Sequence, residues 1–178
     1  MKAMVLGMGL QGKAVIHDLE SNGLIKEIFA ADIFPTEQSR SEAEAYIQKK
    51  GYSKTKAIKL DVFKETDLPM AFSSRDINVV ICMLPIGLAL TAARAALDAG
   101  LPFVSSNYTY NLIQLDDLAR EKEAIILPEM GLDPGIDLIL GQTAKNQINA
   151  RVKPHFRQYD SLFFPCQVVQ LNQVIRVV

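Results

Sequence analysis

Short apolar runs alternate with helical patterns over roughly the first 148 residues, and this alternation constrains the fold more than any other feature. Such an alternation is typical of βαβ units built around a parallel sheet. The predicted strands are Lys2–Leu6, Glu27–Ala31, Ala57–Leu60, Val79–Met83, Phe103–Val104 and Ala124–Leu127. The predicted helices are Gln11–Ser21, Glu37–Lys50, Leu88–Asp98 and Leu112–Lys122, with a short helical turn at Asp67–Phe72. We therefore predict an α/β fold with a doubly wound parallel sheet.

A Gly-x-Gly-x-x-Gly pattern follows the first predicted strand and opens the first predicted helix. Gly7 permits a tight turn, Gly9 lets the backbone approach a pyrophosphate, and Gly12 allows close packing of helix against strand. The backbone N–H groups of Leu10 and Gln11 would then face the phosphates at a helix N-terminus. This context predicts a Rossmann-type dinucleotide site, and the alternative is a glycine-rich turn that binds no ligand.

An acidic residue, Asp32, ends the second predicted strand twenty residues after Gly12. A carboxylate at this position accepts hydrogen bonds from the adenosine ribose hydroxyls and repels a 2′-phosphate. The uncharged Ile33 follows it and is grouped with the cofactor-binding residues. The pattern therefore favours NAD over NADP, and the alternative role for Asp32 is to cap the helix that begins near Thr36.

Two further segments follow predicted strands at the edge where open parallel sheets bind ligands. Asp61 and Val62 close the third strand and are placed beside an adenine ring, although a plain acidic residue at a strand end explains them equally well. Leu84 and Pro85 follow the fourth strand and are placed on the nicotinamide side, where packing is the alternative explanation.

Composition excludes several classes of function. The 19 Lys and Arg residues against 20 Asp and Glu give a net charge of −1, so the basic surface of a nucleic-acid-binding protein is missing. The longest charge-free apolar stretch, Ile77–Ala93, is too short for a membrane helix, and no signal peptide or metal site is predicted. Two cysteines are too few for a disulfide framework, so we expect a cytoplasmic protein.

Three segments in the second half resemble the saccharopine dehydrogenase family, especially its glutamate-forming branch. Residues 129–137, Glu-Met-Gly-Leu-Asp-Pro-Gly-Ile-Asp, resemble the family's Gly-Leu-Asp-Pro-Gly-Ile-Asp signature. Upstream, Leu84-Pro85 and residues 104–108, Val-Ser-Ser-Asn-Tyr, resemble its Leu-Pro and Thr-Ser-Ser-Tyr segments. The resemblance covers most of residues 1–148 and implies an NAD(P)-dependent oxidoreductase acting on the CH–NH group of an amino acid.

The resemblance also implies roles for individual residues. Ser105 and Ser106 would lie against the dinucleotide, and Asn107 and Tyr108 would approach the amino-acid substrate. The junction between cofactor and substrate would be lined by Leu132, Asp133 and Pro134. For Asp133 the alternative is helix capping, because Asp-Pro-Gly can start a helix with proline at its first position. No catalytic residue is assigned.

Two departures from the family pattern affect the substrate and the cofactor. Asn107 replaces the family's Ser, although an amide can still hydrogen-bond a carboxylate. The glutamate-forming enzymes commonly use NADP, whereas Asp32 resembles the NAD-dependent lysine 6-dehydrogenase relatives. A lysine 6-dehydrogenase-like enzyme and a non-catalytic NAD-binding fragment are therefore the alternative functions.

Composition changes at about residue 151. Residues 151–178 contain no Ala, Gly, Glu or Met, and they lack the Gly-Gly-Leu-Pro type of segment that the resemblance implies. We expect a dinucleotide-binding domain at 1–150 and an atypical tail at 151–178, which is a divergent end, a truncation or a reading-frame error. Most of the family's second, substrate-holding domain is thus expected to be missing. We expect an exposed sheet edge near the Phe103 or Ala124 strand, covered by residues 167–178 or by a second copy in a homodimer.

Overall fold

The computed structural model describes residues 1–64 and 67–151. The described residues form one sheet of six parallel strands. In chain order the strands are β1 (Lys2–Leu6), β2 (Glu27–Asp32), β3 (Thr55–Lys59), β4 (Val79–Cys82), β5 (Phe103–Ser105) and β6 (Ile126–Leu127). The helices are α1 (Leu10–Ser21), α2 (Glu37–Lys50), α3 (Asp67–Ser73), α4 (Ile86–Asp98), α5 (Asp116–Glu121) and α6 (Ile136–Arg151).

The strand order is β3-β2-β1-β4-β5-β6. The chain therefore runs outward from β1 to one edge, returns to the centre at β4, and runs outward to the other edge. This order confirms the predicted Rossmann-type fold. In such sheets the crevice for ligands lies outside the carboxyl ends of the strands where the order reverses, which here is between β1 and β4.

Apolar side chains alternate between the two faces of the sheet, so the core has two layers. Met4 and Leu6 belong to the cluster that includes the buried residues of α3 and α4. Ala3 and Val5 belong to the other cluster, which includes Ile16 of α1 and the buried residues of α2. Most of the buried residues of α4 are alanines, and their small side chains allow a close approach to the sheet.

Three predicted elements differ from those observed in their bounds or type. The third strand begins at Thr55, two residues early, because Thr55 pairs with Ile28 although the sequence there lacks an apolar signal. The segment predicted as one helix over Leu112–Lys122 is a 3₁₀ helix at Tyr110–Leu115 followed by α5. Its three-residue turn places Leu112 and Leu115 on the same side, and both are buried. The turn predicted at Asp67–Phe72 is the seven-residue helix α3.

The exposed sheet edge expected near the Phe103 or Ala124 strand is at the second of these two strands. The Phe103 strand, β5, pairs with β4 on one side and with β6 on the other, so its hydrogen-bonding groups are partnered. The outer strand is β6, which has two residues, Ile126 and Leu127. The predicted strand Ala124–Leu127 is therefore at the edge but is shorter than expected. The run at residues 167–178 lies outside the described residues.

The chain divides into two compact units, Met1–Gly131 and Leu132–Val178. In the described part of the second unit the Asp133–Pro134 peptide is cis and α6 begins at Ile136. Pro134 is therefore not the first helical residue, contrary to the sequence prediction. Gly135, whose carbonyl oxygen accepts from the Ile139 N–H at 3.3 Å, directly precedes the helix. None of the helices in the described ranges is long and apolar enough to span a membrane.

Candidate dinucleotide-binding site

The glycine turn joins β1 to α1 at the carboxyl edge of the sheet. Gly7 has a φ of +93°, and a Cβ atom there would meet the Met83 carbonyl oxygen at 3.0 Å. The Gly7 N–H donates to the Ala31 carbonyl at 2.8 Å, which holds the start of the turn beside β2. An L-residue would be strained at this φ, so the tight turn predicted at Gly7 has a physical basis.

The other two glycines of the turn face different surroundings. A Cβ atom on Gly12 would collide with the Gly7 carbonyl oxygen, so Gly12 lets α1 pack closely against the turn as predicted. Gly9 has no atom within 4 Å of the position of such a Cβ. The protein itself therefore does not require glycine at position 9, and the space beside it is open.

The N-terminus of α1 lies next to that open space. Gly9 is the N-cap residue, and the helix begins at Leu10, which is 90% exposed. The first N–H groups of a helix have no acceptor inside the helix, and the helix dipole adds positive potential there. No acidic side chain is present in the first turn of α1. Leu10 and Gln11 are both exposed residues, so their backbone N–H groups at this helix N-terminus are suited to bind phosphate.

Asp32, the last residue of β2, is held against the turn. One carboxylate oxygen, Oδ2, accepts from the Met8 N–H at 2.7 Å, and Oδ1 accepts from the Ile33 N–H at 2.7 Å. Both donors are backbone groups, so the carboxylate has a defined orientation beside the residue that separates Gly7 from Gly9. Each carboxylate oxygen can accept a second hydrogen bond, and Asp32 is half-buried, so it can still accept from a ligand hydroxyl.

The segments that follow β3 and β4 lie at the same edge. The Asp61 Oδ1 atom accepts from the Phe63 N–H at 3.0 Å and so shapes the turn after β3. The Val62 side chain is buried in the core, which leaves its backbone for any contact with a ligand. Pro85 is exposed directly before α4, and Leu84 is half-buried against the core.

Ser105 and Ser106, implied to lie against the dinucleotide, differ in exposure. The Ser105 side chain is fully buried, and its Oγ accepts from the Asn107 N–H at 3.1 Å. It therefore shapes the turn after β5. Ser106 is half-buried, and its hydroxyl donates to the Met83 sulfur at 3.6 Å.

Asn107 and Tyr108, implied to approach the substrate, also contact neighbouring parts of the protein. The Asn107 Nδ2 group donates to the Leu84 carbonyl at 2.9 Å and so links the turn after β5 to the turn after β4. The Tyr108 ring is 5.3 Å from the Tyr110 ring, centroid to centroid. Both residues are half-buried, so each retains some exposed surface.

The three junction residues belong to the second unit, Leu132–Val178. Leu132 and Asp133 are exposed, and Pro134 is buried. The Asp137 N–H donates to the Leu132 carbonyl at 3.0 Å, and Asp137 Oδ1 accepts from the Gly135 N–H at 2.8 Å. Because Gly135 directly precedes α6, Asp133 does not occupy the capping position that was its alternative role.

Sequence reasoning missed two residues at this edge, Thr109 and Glu129. Both Thr109 donors, the N–H and the hydroxyl, bond to Glu129 Oε1 at 3.0 and 2.8 Å. The available signal was a glutamate two residues after the last strand, in the segment that resembles the family signature. Its partner twenty positions earlier carries no signal of its own.

Comparison with known proteins decides the family. The family model described as "Saccharopine dehydrogenase NADP binding domain" matches residues 3–127. The chain belongs to this family. This match confirms the resemblance inferred from the three segments. It also supports a nucleotide cofactor for this part of the chain.

Two yeast proteins are similar to the chain. The saccharopine dehydrogenase [NADP(+), L-glutamate-forming] of Schizosaccharomyces pombe is 35% identical over 98 residues, which are 54% of this chain and 21% of that protein. The apo structure of saccharopine dehydrogenase (L-Glu forming) from Saccharomyces cerevisiae has a TM-score of 0.69 and 26% identity, over 84% of this chain and 31% of that one. The chain thus spans between a fifth and a third of the length of these relatives.

A more distant structure shares the fold alone. GenD2 from gentamicin A biosynthesis, solved in complex with NAD, has a TM-score of 0.55 and 15% identity over 72% of this chain.

Proposed function

We propose that the carboxyl edge of this sheet binds a nicotinamide dinucleotide. The observation that carries the proposal is the joint position of Gly9 and Asp32. Gly9 borders open space at the N-terminus of α1. The Asp32 carboxylate accepts a hydrogen bond from the N–H of Met8, the residue directly before Gly9. Open backbone suits a pyrophosphate, and a carboxylate beside it suits the ribose that follows.

NAD is the proposed cofactor. The Asp32 carboxylate would repel a 2′-phosphate, and the next residue, Ile33, is 44% exposed and carries no charge. Two observations favour NADP instead. The family description and the fission yeast relative both name NADP. Lys59 on β3 pairs in register with Asp32 and is exposed, so a cation is available one strand away.

The proposed reaction is oxidation of the CH–NH group of an amino acid, as in saccharopine dehydrogenase. The nicotinamide ring, when bound, accepts a hydride from the carbon that bears the nitrogen. Loss of the nitrogen-bound proton gives an imine, and water then cleaves the imine to a carbonyl compound and an amine. The Ser106 to Tyr108 segment supports this proposal, because it presents polar side chains beside the proposed nicotinamide side.

A lysine 6-dehydrogenase-like enzyme follows the same chemistry, and Asp32 is the feature that favours it. The other candidate is an NAD-binding fragment without activity. The chain spans between a fifth and a third of the length of its relatives, so activity of this chain by itself is the property on which the candidates differ. Arg157 and Arg176, which could clamp carboxylates, lie outside the described residues.

Titration calorimetry of the purified chain with NAD, NADP and ADP-ribose tests the cofactor proposal. We expect binding of NAD and ADP-ribose, and absence of both would overturn it. Reduction of NAD in the presence of saccharopine or lysine tests the reaction. Reduction would reject the inactive-fragment candidate, and its absence despite NAD binding would favour that candidate.

Assembly and location complete the proposal. We expect a homodimer, because β6 is an edge strand that pairs with β5 alone among the described strands, and an edge strand can pair with a second copy on its outer side. A reducing, cytoplasmic location is supported by Cys82, a free thiol at the end of β4. Burial raises the pKa of this thiol to about 11, so it packs as a small apolar side chain.

A further inference from the structure

Glu129, the second residue after β6, adopts an unusual backbone conformation. Its φ is +61°, in the left-handed region that non-glycine residues rarely occupy. Two hydrogen bonds hold it there: the Glu129 N–H donates to the Asn107 carbonyl at 2.9 Å, and the Met130 N–H donates to the Ser105 carbonyl at 3.0 Å. Such conformations persist where surrounding contacts determine them, and they occur often at functional sites.

The Glu129 side chain adds two more contacts to the same segment. Its Oε1 atom accepts from both Thr109 donors, and Thr109 is 6% exposed. A charged acceptor makes stronger hydrogen bonds than a neutral one, more so when the donors are shielded from water. The backbone and the side chain of Glu129 therefore hold opposite ends of the Asn107–Thr109 segment.

Asn107 extends the connection to a third loop. Its Nδ2 group donates to the Leu84 carbonyl in the turn after β4, while its own carbonyl accepts from Glu129. The loops after β4, β5 and β6 are thus joined through two residues. All three loops lie at the carboxyl edge, in the half of the sheet that does not contain the glycine turn.

We infer that Glu129 and Asn107 are positioning residues for the nicotinamide half of the cofactor. The inference rests on the proposed dinucleotide binding. A Rossmann sheet consists of two mononucleotide-binding halves. Here the first half, β1 to β3, carries the glycine turn and Asp32, and the second half, β4 to β6, carries the joined loops. The conformation of these joined loops determines the position of the nicotinamide ring relative to Tyr108. Glu129 stabilises that conformation without contacting the ligand.

The test compares a whole dinucleotide with its nicotinamide-free counterpart. The pair is NAD and ADP-ribose, or NADP and 2′-phospho-ADP-ribose if the chain prefers NADP, titrated by calorimetry into the full chain. The measured quantity is the ratio of the two affinities. In wild type we expect the dinucleotide to bind more tightly. Glu129→Ala should lower the ratio by about tenfold, as expected for loss of hydrogen bonds to a charged group, and should leave affinity for the counterpart within about twofold.

Conservative variants separate positioning from folding. Glu129→Gln retains a side-chain oxygen that can accept from both Thr109 donors, so its ratio should stay within about twofold of wild type. Thr109→Val removes one of the two hydrogen bonds and should lower the ratio by about threefold. If Glu129→Ala does not fold, the Thr109→Val and Glu129→Gln ratios decide the question.

Each result has one meaning. An unchanged ratio in Glu129→Ala, or in Thr109→Val if the former does not fold, would overturn the inference. Equal losses for both ligands would also overturn it, because they would indicate a general effect on folding, and so would a wild-type ratio of one. If wild type binds neither the dinucleotide nor the counterpart, the proposed function fails, and the inference fails with it.

Discussion

The carbonyl oxygen of Gly7 occupies the space that a side chain at Gly12 would need, because a Cβ atom at Gly12 would lie within 3.0 Å of it. The obstacle is backbone, so it cannot rotate away. We expect Gly12→Ala to lower the free energy of unfolding by about 1–3 kcal/mol, as overpacking typically does. Urea denaturation measures it. Gly23→Ala is the matched control, since Gly23 has open space around it, and equal stability of the two variants would contradict the prediction.

The Gly9→Ala variant should weaken dinucleotide binding without affecting stability. A methyl group at Gly9 meets no protein atom, but it would stand between the backbone and a bound pyrophosphate. We expect at least about a tenfold loss of affinity, the equivalent of about 1.4 kcal/mol. Calorimetry with NAD measures the loss, and thermal unfolding checks that the fold is intact. Unchanged affinity would mean that the cofactor does not approach the turn.

Replacing Asp32 by Asn should narrow the preference for NAD over NADP. The amide oxygen can keep the hydrogen bond from Met8, but the repulsion of a 2′-phosphate is lost. We expect NAD to bind more weakly and NADP more tightly, with the ratio of the two dissociation constants changing by about tenfold. Lys59→Ala is the complementary variant and should weaken NADP alone. Tighter binding of NADP by wild type would show that Asp32 does not face the ribose.

Glu27 makes a pH-dependent contribution to stability. The hydrogen bond from Lys56 lowers the pKa of the Glu27 carboxyl below its usual 4.5, and the charges of Lys56 and Lys2 lower it further, while burial opposes them. A lowered folded-state pKa means that the contribution is present above pH 4.5 and is lost as the pH falls through the folded-state value. Glu27→Gln should therefore cost up to about 1 kcal/mol at pH 7 and nothing in strong acid. Urea denaturation of both proteins between pH 7 and about pH 3 checks the convergence, and a pH-independent difference would contradict it.

The oligomeric state tests the proposed role of the sheet edge. We expect light scattering of the full chain, at tens of micromolar, to give the mass of a dimer or a larger species, because β6 pairs with β5 alone among the described strands and its outer side can pair with a second copy. Removal of residues 151–178 should change that mass or reduce solubility. A stable monomer that remains soluble without residues 151–178 would contradict the prediction. It would show that the first 150 residues fold without a further strand or a second copy paired to β6.

Local signals account for what was predictable in the fold. Helix α2 has the predicted bounds, Glu37–Lys50, because Thr36 and Ser39 form a capping box at its start and Gly51, at a φ of +68°, ends it. The glycine turn was predictable for the same reason, since its three glycines and the flanking strand and helix are contiguous in the chain. Strand β3 was misplaced because pairing with β2, and not apolar periodicity, places Thr55 in the sheet.

Contiguous residues alone therefore determined the alternation of strands and helices, the turn at Gly7 and the acidic end of β2. Tertiary structure decided which distant residues meet. The Met8 amide orients Asp32 across twenty-four positions, and Glu129 holds Thr109 across twenty. Such contacts form only when parallel strands bring their carboxyl ends to one edge of the sheet. A hydrogen bond requires a defined distance and angle between donor and acceptor, and the identities of the two residues do not determine either of them.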